Sequence, residues 1–113
     1  MVLAAIAAAL AVWAMPQTQT ALAYDEALRC AGLTQAASEL EGGETRYGRS
    51  LADAALYWTL FAMQSAQADG RSPTQAEADQ VRARLASVRR LTRGDSNARK
   101  QLQQCRQKTP QMG

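Results

Sequence analysis

Histidine is absent from the chain. That removes the Ser-His-Asp and Cys-His arrangements, the commonest general base, histidine-zinc sites and the Cys-x-x-Cys-His haem attachment. Cysteine is nearly absent, with Cys30 and Cys105 standing far apart. Redox catalysts hold their cysteines close in sequence, and a metal site needs more ligands than two thiols. No metal or cofactor is therefore expected. Aromatic residues make up 5% of the chain, and they never alternate with β-branched residues as a half-buried strand requires. Strands are not expected either.

Charge is missing from one whole region. Met1 to Ala23 carries no ionisable side chain and ends in Ala21-Leu22-Ala23, directly before Tyr24-Asp25-Glu26. An apolar run from Val2 to Met15, a polar spacer with Pro16 and Gln17, and small residues at −3 and −1 match a secretory signal peptide cleaved after Ala23. No Lys or Arg precedes Val2, so the positive n-region is either the amino terminus itself or belongs to an upstream start. An uncut anchor is the competing reading, but a spanning helix needs roughly 20 apolar residues and Pro16 interrupts the run. Lipidation at Cys30 fails because Ala27-Leu28-Arg29 and two acids precede it.

Removing residues 1–23 leaves about 90, enough for one small domain at 24–113 with a modest core. Such exported domains gain from a covalent staple. Cys30 and Cys105 allow one connectivity, and in an oxidising compartment they read as a disulfide; two free buried thiols are the alternative. Lysine is rare, Arg supplies most of the positive charge, and Ala is abundant. This bias suggests a bacterial genome of high GC content and a periplasmic or secreted address.

The remaining sequence divides into four helical segments at clear stops, which predicts an all-α antiparallel bundle. The first runs from about Asp25 to Glu41, before Gly42-Gly43, with Cys30, Leu33, Ala37 and Leu40 on one face. The second runs from Thr45 or Ser50 to Asp69. It has two apolar stripes pointing nearly opposite: Tyr47, Leu51, Ala54, Trp58, Phe61 and Ser65 on one side, Leu56, Leu60 and Met63 on the other. A helix apolar around most of its circumference is expected at the centre of a fold. The third opens on Ser72-Pro73 with Gln75 as capping-box partner and buries Ala78, Val81, Leu85, Val88 and Thr92. The fourth, from Asp95 or Ser96 to Lys108, buries Ala98, Leu102 and Cys105.

Function is less legible. Tyr24 to Asp79 holds nine acids and four arginines, whereas Gln80 to Gly113 holds nine bases and Asp95 alone. Arg82, Arg89 and Arg93 form a row that could grip an anionic envelope component. No aromatic residue is interleaved for base stacking, so nucleic acid is not expected, and pairing with Glu39, Glu41 or Glu44 is the simpler account. Among the acids, Asp53 alone lies inside the most apolar segment, where it reads as a capping-box or first-turn acid after Ser50. A small carboxylate-dependent hydrolase would need two acids converging in a cleft.

The Tyr47, Tyr57, Trp58 and Phe61 cluster reads as core. The stripe of Leu56, Leu60 and Met63 is the candidate partner surface if three other helices leave it uncovered. The reading is therefore an exported, non-enzymatic helical protein acting through contact with an envelope protein or a second copy, in an accessory or chaperone-like role. No membrane span is expected once the leader is removed.

Overall fold

The computed structural model describes residues 17–110, with side chains from Ala23 onward. It contains four helices, α1 (Gln17–Glu41), α2 (Arg46–Ala68), α3 (Pro73–Thr92) and α4 (Ser96–Lys108), with no strand among the described residues. Residues 1–16 of the expected leader lie outside the described residues. Its last part is helical, so α1 starts at Gln17 and not at Asp25. Gln17 to Ala23 contains no Gly or Pro to interrupt it.

The starts and stops follow local chemistry. Thr45, Ser72 and Asp95 are the N-caps of α2, α3 and α4, and each side-chain oxygen accepts backbone N–H groups of the first turn. Because Thr45 and not Ser50 caps α2, Asp53 falls in its second turn as an exposed residue and caps nothing. Gly70 and Gly94 hold φ of +75° and +76°, which a side chain would resist. The following amides of Arg71 and Asp95 donate back to Ala66 and Arg90 at 2.9 and 3.0 Å, closing α2 and α3 with Schellman turns.

The central helix is α1, not α2. Tyr24, Ala27, Cys30, Ala31, Leu33, Thr34, Ala36 and Ala37 are all buried and together take up about two thirds of its circumference. The Thr34 hydroxyl is satisfied by donating to the Cys30 carbonyl at 2.7 Å. Small side chains let the other three helices approach α1 closely, whereas the large outer side chains of α2 would hold neighbours away.

On α2 the buried face is Gly48, Leu51, Ala54, Ala55, Trp58, Ala62 and Ala66. It drifts onto alanines in the second half, so Phe61 of the expected core cluster is left partly in solvent, and Tyr47, in the first turn, is exposed as well. Ring contacts of Trp58 with Tyr57 and Phe61, at 5.1 and 5.9 Å between centroids, continue the core outward.

The orientation of α3 reverses the expected one. Its buried residues are Ala76 and Ser87, while Val81 and Leu85 are 45% and 43% exposed and Ala78 and Thr92 are exposed too. The cause is the approach to α1. A Cβ placed on Gly32 would lie 2.8 Å from the carbonyl carbon and oxygen of Ala83. Contact that close admits only small residues between the helices and turns the larger ones outward.

Helix α4 keeps its expected face, with Ala98, Leu102 and Cys105 buried. The Cys30–Cys105 disulfide, 5.5 Å between Cα atoms, fastens it to α1. The acidic and basic halves meet through Arg84–Glu39 at 3.1 Å and Lys108–Glu26 at 2.6 Å. No helix among the described residues is long and apolar enough to cross a membrane.

Candidate functional site

The outer face of α2 is built by default. Leu51, Trp58 and Ala62 face α1, and at about 100° per residue Leu60 points directly away from them, with Leu56 and Met63 to one side of it. These three are 53%, 53% and 50% exposed. No charged side chain occurs from Ala54 to Ala68, so the face is apolar or neutral along about four turns.

The surface is also shaped. Leu56, Tyr57, Leu60, Phe61 and Gln64 line a dimple of about 230 Å³. Met63 joins Pro73, Ala76, Glu77 and Gln80 around a second of about 220 Å³, where α2 meets α3. The exposed Val81 of α3 lines a groove of about 380 Å³ together with Gln35, Glu39, Ala55, Glu77 and Arg84. Gln35 donates to the Thr59 hydroxyl at 3.0 Å in its neighbourhood.

The row of Arg82, Arg89 and Arg93 is exposed along one flank of α3. It is not neutralised by Glu39, Glu41 or Glu44. Arg82 pairs with Asp79 one turn away, and Arg93 approaches Asp95 at 3.7 Å. Glu39 takes Arg84 instead, and Glu41 accepts from the Thr45 hydroxyl at 3.2 Å. Asp95 also accepts from the amides of Asn97 and Ala98 and from Arg90. The bond from Ala98 is the main cause that holds its carboxyl below the usual aspartate range.

A polar cluster joins α1, the α2–α3 turn and α3. Tyr24 is 1% exposed and its hydroxyl donates to Asp79 at 2.8 Å, under the Arg71 guanidinium, 4.6 Å from the ring centroid. Arg71 also pairs with Asp69 at 2.9 Å. Burial, then the bond to Asp79, raises the Tyr24 phenol to about 12. The cluster fastens the first half of α1 to the α2–α3 turn and to the second turn of α3. Only the position of Tyr24 on the Ala27 face of α1 hinted at it.

Two acids, Glu39 and Glu77, line the groove between α1, α2 and α3. Both are exposed, and Glu39 is occupied by Arg84. The arrangement lacks the buried carboxyl pair that acid-base hydrolysis uses. Among the described residues no group of three or more Cys, Asp or Glu could hold a metal ion.

The chain matches no protein family, no curated protein and no solved structure.

Proposed function

We propose that this is an exported helical protein without enzymatic activity, which works by docking another protein onto the outer face of α2. The observation that carries the reading is the uncharged, dimpled stripe of Leu56, Leu60 and Met63. Side chains this apolar are not retained on a helix surface for solubility, and the dimple between Leu56, Leu60 and Phe61 suits a side chain of a partner helix. The leader pattern of residues 1–23 and a disulfide of the kind that persists in oxidising compartments support a periplasmic or secreted location. An accessory or chaperone-like role fits a small scaffold with an exposed apolar helix face.

The test is retention of envelope proteins on the immobilised, oxidised protein. The wild type should hold a discrete partner, or a second copy of itself, that the Leu60→Asp variant releases. Equal retention by both would contradict the assignment.

A second reading rests on α3. Arg82 and Arg89 flank the exposed Val81 and Leu85, the pattern of a basic amphipathic helix that meets an anionic envelope surface. Retention on an anionic matrix should then fall steeply with salt, and Arg82→Gln with Arg89→Gln should remove it.

A further inference from the structure

At the end of the bundle remote from Tyr24, all four helices converge on a pocket of about 450 Å³. Ala37 and Leu40 of α1, Leu51 of α2, Leu91 of α3 and Leu102 of α4 form its apolar floor and walls. Leu40, expected in the core, is 53% exposed here because it sits on the rim. Arg99 and Arg106, two turns apart on one face of α4 with Leu102 between them, stand at the mouth with Gln103, Glu41 and Tyr47.

The two arginines differ. The Arg106 guanidinium lies over the Tyr47 ring at 4.7 Å. Arg99 has no acidic partner among the described residues. Glu41, the one acid lining the pocket, accepts from the Thr45 hydroxyl at 3.2 Å, and against it stand two guanidinium groups. An apolar pocket of this volume with an unpaired cation at its mouth has the composition of a small-molecule site.

We propose that this pocket binds a single-chain amphiphile, an acyl chain with an anionic carboxylate or phosphate head. The chain lies on Leu40, Leu91 and the exposed edge of Leu102, and the head pairs with Arg99, while Arg106 and Tyr47 wall the opposite end. The site is separate from the outer face of α2, and it stands or falls independently of the docking assignment.

Calorimetric titration with sodium dodecanoate below its micellar concentration tests this, alongside dodecyltrimethylammonium and phosphatidylglycerol vesicles. Dodecanoate should bind at one site, and binding should tighten about fourfold per added methylene until the pocket is full. The cationic amphiphile should bind at least about tenfold more weakly, as should dodecanoate to Arg99→Gln, since a charge-assisted bond is lost. Arg29→Gln, exposed on α1 eight residues before the first lining residue Ala37, should bind as the wild type does. Methyl resonances of Leu40, Leu91 and Leu102 should shift together with saturation. Saturable binding of dodecanoate with the leucine shifts and the Arg99 dependence supports the proposal; binding of phosphatidylglycerol alone, which carries two chains, would overturn it. Equal binding of anionic and cationic amphiphiles, binding undiminished in Arg99→Gln, or shifts confined to α2 would overturn the proposal.

Discussion

The indole Nε1–H of Trp58 donates to the carbonyl oxygen of Cys105 at 3.2 Å, so α2 is tied to the residue whose sulfur is tied to Cys30 of α1. The same N–H reaches the Thr109 hydroxyl at 2.9 Å. Three helices are thereby fixed around one position at the end of α4, a short helix that has few other buried side chains.

Replacing Cys30 and Cys105 together by Ala should therefore lower stability by about 4 kcal/mol on the loop-closure model. Trp58 is the only tryptophan in residues 17–110, so its emission should shift to the red as α4 detaches. Urea titration of the oxidised protein and the double variant reads both effects. Coincident unfolding curves would show that the staple is not what holds α4.

The α1–α3 contact makes a sharp steric prediction. Gly32→Ala places a methyl 2.8 Å from the Ala83 backbone, and overpacking of this kind costs about 1–3 kcal/mol. Gly43→Ala has no atom within 4 Å of the new methyl and should be close to neutral. Thermal unfolding of the two variants separates them, and equal midpoints would mean that the helices are not in close contact.

On α3, Leu85→Gln should change stability by less than about 0.5 kcal/mol because the side chain is on the surface. Ala83→Leu, next to Gly32, should destabilise markedly. The amphipathic pattern of the sequence implies the reverse order, so this pair of denaturation curves decides which face of α3 is inside.

Tyr24 gives a pH signature. Its phenol is raised from 10 to about 12, so the fold favours the neutral form. The stabilisation is fully present below about pH 10 and is lost as pH rises through about 12. Wild type should lose thermal stability more steeply than Tyr24→Phe over that window, and parallel losses would contradict the buried bond to Asp79.

What the sequence made legible was local. Gly70, Ser72-Pro73 and Gly94 mark helix ends through backbone and capping chemistry that needs no partner, and two cysteines on apolar faces permit one bridge. Which helix is central depends on packing across the chain, and reading the large apolar residues as the core misjudged it. The alanines of α1 and the Gly32–Ala83 approach draw the helices together through small residues, and Leu56, Leu60, Val81 and Leu85 are left outside. Periodicity located the α2 stripe, but only the tertiary arrangement determines its exposure. The pocket beside Arg99 was not legible because its walls come from four helices far apart in sequence.

The most direct measurement of the docking face is photo-crosslinking in intact cells, with a benzophenone amino acid at position 60 or, as a control, at position 104, where Gln104 is exposed on α4. A discrete adduct formed at position 60 and absent at position 104 is the predicted result. No adduct at either position, or the same adducts at both, would contradict the assignment of Leu56, Leu60 and Met63 as the working surface of the protein.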